Sequence, residues 1–137
     1  MKKLLIKSTP EDNFYSEIGH TALRVFAGLT IAFAHGINKI PPHEGFIAAV
    51  GKLGFPLPSL FAWSAGLAEF LGGILIAIGL VTRPASFMLF ITMMVAAFGQ
   101  HAADPFAKKE MALLYGAISF YFMLRGSGKI SIDNKIK

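Results

Sequence analysis

Apolar residues in this chain come in long runs, separated by short clusters of charge, proline and glycine. Four runs stand out, at about 19–38, 59–81, 85–101 and 109–125. Each approaches the ~20 helical residues needed to cross ~30 Å of hydrocarbon. The pattern predicts an all-α membrane protein, a four-transmembrane-helix up-down bundle forming one domain over 1–137, with tails at 1–18 and 126–137. The fourth run, "MALLYGAISFYFML", is the shortest and spans with Lys108, Lys109 and Arg125 snorkelling at its ends.

Between the first two runs, "PPHEGFIAAVGKLGFPLP" repeats Phe46, Ile47, Val50, Leu53 and Phe55 at roughly helical spacing. Pro41 and Pro42 suit a helix start and Gly54 a stop, which predicts a short interfacial helix of about ten residues in the first outer loop.

Composition agrees with lipid as the solvent: 54% of the 137 residues are hydrophobic and only 15% charged. Thirteen Lys and Arg against eight Asp and Glu give a net charge of +5. Such an excess on a membrane chain marks cytoplasmic flanks, and no nucleic-acid-reading motif accompanies it. With an even number of spans, the termini and the 82–84 turn lie on one side. That side carries Lys2, Lys3, Lys7, Arg83, Arg125, Lys129, Lys135 and Lys137, against Lys39, Lys52, Lys108 and Lys109 opposite. Both termini are therefore expected in the cytoplasm. The opening "MKKLLIKSTPEDNFYSE" has only "LLI" as an apolar segment before Lys7, which reads as a short cytoplasmic tail rather than a signal peptide.

The absence of cysteine excludes thiolate chemistry and disulfides within this chain. Candidate chemistry rests on polar residues inside the runs. Arg24, His35 and Lys39 recur at steps of three or four through Gly28 and Ile31, so a regular helix places them on one face. Glu69 is flanked at helical spacing by Ala65, Gly66, Gly72 and Gly73, small residues that let another helix approach. An isolated central charge costs about 2.5–3.5 kcal/mol, so Glu69 is expected either to pair with Arg24 or to stay protonated. Arg24, Glu69, His35 and Lys39 thus form a candidate buried polar, proton or ligand site. A purely structural ion pair and a lipid-side or assembly contact remain alternatives. A second polar cluster gathers Asn38, Gln100, His101 and Glu110 at the outer ends of the spans, with His43 and Asp104 nearby. No histidine spacing supports a metal site, and no residue is assigned as catalytic.

Three stretches, "LRVFAGLTIAFAHGINKI", "GFPLPSLFAWSAGLAEFLGGILIAIGLVTRPAS" and "GSGKISID", resemble the DoxX family of small four-helix membrane proteins. The resemblance is carried by Arg24 to Gly36 and Lys39, by Glu69, Gly72, Gly73, Gly79, Thr82 and Arg83, and by Gly126, Gly128, Ser131 and Asp133. It implies a prokaryotic inner-membrane protein, with relatives linked to quinone-coupled sulfur oxidation and to redox-stress complexes. Arg24, Lys39, Glu69 and the Thr82 and Arg83 turn are its polar positions.

The expected function is a membrane subunit of a quinone-linked redox system, with quinone as ligand and a soluble oxidoreductase partner supplying electrons. The alternatives are a non-enzymatic membrane anchor for such an oxidoreductase, and a channel or transporter, which would require a homo-oligomer.

Overall fold

The computed structural model describes residues 13–137, all of whose regular structure is helical. Most of the expected N-terminal tail lies outside the described residues. Helix α1, Phe14–Thr30, starts where Asn13 accepts the Tyr15 N–H at 2.9 Å, about five residues before the expected first span. It continues as a π-helical segment, Ile31–His35, and a 3-10 turn, Gly36–Lys39.

Helix α2, Glu44–Lys52, is the short helix of the first loop. Its start is set by His43, whose Nδ1 accepts the Phe46 N–H at 3.1 Å, rather than by the two prolines before it. Gly54, at φ 89°, follows its end, as the sequence suggested.

Helix α3, Pro58–Ile78, opens on its proline and closes at Gly79, whose φ of 72° favours glycine. There the N–H groups of Gly79 and Leu80 bond back to the carbonyls of Ile76 and Leu75, at 3.1 and 2.9 Å. Helix α4, Thr82–Val95, runs on through a second π-helical segment, Ala96–Gln100, and helix α5 covers Phe106–Arg125. Both start three residues earlier than their apolar runs, because snorkelling charges and prolines are tolerated in a first helical turn. A short helix α6, Ile132–Lys135, ends the chain.

The small residues decide how α1 and α3 meet. A Cβ on Gly28 would fall 2.5 Å from the Gly73 carbonyl oxygen, and one on Gly73 would fall 2.6 Å from that of Gly28. Backbone therefore packs on backbone along an antiparallel seam, which Gly36 and Gly66 continue toward Lys39. Gly72 points instead toward α4. The four long helices share a core that includes Ile31, Ile76, Leu89, Met93, Tyr115 and Phe122. Side chains complete the contact between α1 and α5: His20 Nδ1 is hydrogen-bonded to the Tyr121 hydroxyl at 3.0 Å, and the His35 ring meets Tyr115 edge-on.

Polarity is inverted relative to a water-soluble bundle. Phe98 and Leu124 are 63% and 60% exposed, whereas Arg24 and Glu69 are each 1% exposed. Helix α3 and the Thr82–Gln100 rod are long and apolar enough to cross a membrane.

Candidate functional site

Glu69 is paired with Lys39. The Lys39 ammonium donates to both carboxylate oxygens, at 2.6 and 2.8 Å, and its Nζ also lies 5.5 Å from the centre of the Phe46 ring on α2. The expected Arg24 to Glu69 pair does not form. Arg24 lies beside Ile76, seven positions or roughly 10 Å along α3 from Glu69, too far for its guanidinium to reach. Lys39 succeeds because the 3-10 turn brings it to α3 where Gly36 and Gly66 allow close approach.

The π-helical segment also breaks the face expected for Arg24, His35 and Lys39. It adds a residue to the turn and rotates everything after Thr30 relative to a regular helix. Arg24 bonds near the C-terminal end of α3, at Ile76, and Lys39 bonds at its middle, at Glu69, while His35 is exposed and meets α5.

A cavity of about 520 Å³ opens beside the ion pair. Glu69 and Lys39 line it, together with Phe46 and Val50 of α2, Leu53 just after that helix, and Ile91 and Val95 of α4. Gln100 and His101 also line it, whereas Asn38 and Glu110 are exposed and do not. The outer polar cluster expected from sequence is therefore divided. His101 Nδ1 donates to Asp104 Oδ2 at 2.7 Å, and this bond is the main cause holding the Asp104 carboxyl below its ordinary range. A largely apolar cavity with an ammonium and a carboxylate in its lining suits a largely apolar ligand carrying a polar oxygen. The helical spacing of Phe46, Val50 and Leu53 was visible in the sequence, but it read as a membrane-facing stripe rather than a cavity lining. Among the described residues, no three of His, Asp and Glu gather into a group able to hold a metal ion.

The opposite end of the bundle holds a second polar arrangement. Arg24 donates to the carbonyls of Ile76 and Ile130, at 3.3 and 2.6 Å. Asp133 accepts the N–H groups of Val81 and Thr82, at 2.8 and 3.1 Å, and its own N–H donates to the Gly79 carbonyl. Helix α4 lacks a side-chain cap of its own, so Asp133 supplies one from a distant part of the chain. Burial pushes the Asp133 carboxyl up, but the Thr82 and Val81 amides outweigh it and hold it below its ordinary value.

Glu17, just before the first apolar run, accepts the Lys129 N–H at 2.8 Å and Arg125 Nη2 at 2.9 Å. The Lys129 amide, opposed by burial and reinforced by Arg125, holds this carboxyl low as well. Thr82 is buried within this arrangement and Arg83 is exposed at its edge. The segment expected as a C-terminal tail is thus bound to the bundle by backbone and side-chain hydrogen bonds. Asp133 and Thr82 carry the family resemblance, but their pairing, and that of Glu17 with Arg125 and Lys129, was not recognisable beforehand, since the partners are 51 to 112 positions apart.

Residues that carry the family resemblance, Arg24, Gly79, Thr82, Ser131 and Asp133, converge at this end, while Lys39 and Glu69 meet at the middle of α3. The family model for DoxX matches residues 19–102, well over half of the chain. The chain belongs to the DoxX family. Its matched region contains the ion pair and the polar residues of the cavity, and it stops short of α5 and the Asp133 clasp. This DoxX membrane protein is 34% identical over 118 residues to the Bacillus subtilis protein named "Putative oxidoreductase CatD", covering 85% of this chain and 86% of that one. It is 41% identical over 78 residues to an uncharacterized Haemophilus influenzae protein, covering 52% of this chain and 58% of the other. No solved structure matches it.

Proposed function

We propose that this DoxX protein is a four-span inner-membrane subunit of a quinone-linked redox system, with the cavity beside Lys39 and Glu69 as the quinone site. The ion pair on the wall of an apolar cavity carries this reading. The residues fit the ligand class: apolar side chains suit the ring, the Lys39 ammonium suits a carbonyl oxygen, and the Glu69 carboxylate suits a quinol hydroxyl. A bound quinone supplies two-electron chemistry coupled to two protons. The chain's own part is to orient the ring and to hold or release a proton at Glu69 Oε. Without cysteine, the electrons come from a partner oxidoreductase, and the name of the Bacillus subtilis relative supports a redox setting.

In this reading the α1 rod, α3, the Thr82–Gln100 rod and α5 all cross the bilayer. Helix α2 lies at the outer interface and lines the cavity, and both termini are cytoplasmic by the positive-inside count. The test is lipid extraction of the full-length protein purified in mild detergent. Quinone retained by the wild type and lost from Glu69→Gln is the expected result. No quinone in either, together with a copurifying soluble oxidoreductase, would favour the anchor function instead.

A further inference from the structure

The end of the bundle away from the cavity carries an open depression of about 790 Å³. Arg83, Arg125, Lys129 and Lys137 border it, together with the carboxylates of Glu17 and Asp133. Both carboxylates are already engaged. Glu17 accepts from Arg125 and from the Lys129 amide, and Asp133 accepts from the Val81 and Thr82 amides. No carboxylate lies within ion-pair distance of Arg83 among the described residues. Its side chain runs along Gly126, where a Cβ would stand 3.2 Å from Nε.

We propose that this depression binds a phosphate group, with Arg83 as its principal ligand. The guanidinium fork matches two phosphate oxygens, and the neighbouring cations favour an anion once the carboxylates are engaged. Its position favours a phosphate at the membrane surface. Arg83 stands at the first turn of the apolar Thr82–Gln100 rod, where hydrocarbon gives way to headgroups, and basic pockets at helix ends on the cytoplasmic side take anionic lipid headgroups. A soluble phosphate ester presents the same chemistry from the aqueous side. The site requires the chain to span the bilayer but does not depend on what fills the cavity, so a failed quinone test leaves it standing.

The experiment is thermal unfolding of the full-length protein in detergent at fixed ionic strength. It is titrated separately with mixed micelles of phosphatidylglycerol, with micelles of phosphatidylcholine, and with inorganic phosphate. Phosphatidylglycerol is expected to raise Tm more than phosphatidylcholine, whose phosphate is the same but whose choline cation meets the bordering basic residues, and Arg83→Gln is expected to weaken the response about fivefold. Lys52→Gln, at the other end, leaves it unchanged. A response to inorganic phosphate of equal size identifies a soluble phosphate ester as ligand, and silence in that arm identifies the lipid. If Arg83→Gln does not fold, Arg83→Lys, which keeps the charge and loses the fork, must show the weakened response. Equal responses to the two lipids with no response to phosphate, an unchanged response in the Arg83 variant, or equal loss in Lys52→Gln would overturn the proposal.

Discussion

Lys39 and Glu69 are joined by two hydrogen bonds although one side chain is 31% exposed and the other is nearly sealed. The pair therefore has a wet end and a dry end. Removing Lys39 alone strands the Glu69 charge, removing Glu69 alone leaves a half-buried ammonium without its partner, and removing both leaves neither. Lys39→Leu and Glu69→Leu should each destabilise the protein by about 2–4 kcal/mol, with the double variant less affected than their sum, by a coupling above about 1 kcal/mol. Thermal unfolding of the four proteins in detergent checks this. Additive effects would mean that the two charges do not depend on each other.

The glycine seam makes a sharper packing prediction. A Cβ on Gly28 strikes the backbone of α3, which cannot give way cheaply, whereas one on Gly19 meets nothing within 4 Å. Gly28→Ala should cost about 1–3 kcal/mol by overpacking. Gly19→Ala, in the same helix, should be neutral or stabilising by up to about 1 kcal/mol. Similar melting temperatures for the two variants would contradict the backbone-on-backbone contact.

The contrast between these two cases shows what the sequence makes legible. Small residues at helical spacing around Glu69 announce a close approach, and Gly66 and Gly73 do make one, because that signal depends only on neighbours within a few turns. The four long helices are legible for the same reason, their ends shifting by a few residues where caps such as Asn13 and His43 take over. The partner of Glu69 is not legible. A π-helical turn at Ile31–His35 leaves no mark on the hydrophobic period, yet it decides where His35 and Lys39 point. Nor does any local pattern announce that Glu17 will meet the Lys129 amide.

The clasp at the other end predicts a pH response. Glu17 and Asp133 have folded-state pKa values below their ordinary ones, so their ionised forms favour the fold. That contribution is complete above the ordinary carboxylate range and is lost as pH falls through the lowered values. Melting temperature should therefore drop between about pH 5 and pH 3. Asp133→Asn keeps one acceptor oxygen but loses the second and the charge, so it should lower stability at neutral pH by about 1 kcal/mol and should flatten the acid limb. An unchanged acid limb would remove Asp133 from this role.

Topology can be read directly because the chain has no cysteine of its own. Single cysteines at Lys52 and Lys135 should label from opposite sides in intact cells, with Lys52→Cys accessible from outside to a membrane-impermeant maleimide and Lys135→Cys accessible only after lysis. Labelling of both from one side would contradict the four-span arrangement with cytoplasmic termini.

The quinone site itself is tested by titrating purified full-length protein with a short-chain quinone, comparing the wild type with Glu69→Gln and with Ala65→Phe. Ala65 lines the cavity one helical turn before Glu69, so a phenyl ring there takes up cavity space while both charged residues are kept. Saturable binding in the wild type, weakened at least about tenfold in both variants, is the predicted result, a loss of about 1.4 kcal/mol or more. Binding that is absent from the wild type, or equally strong when the cavity is filled, would contradict the assignment of this cavity as the quinone site.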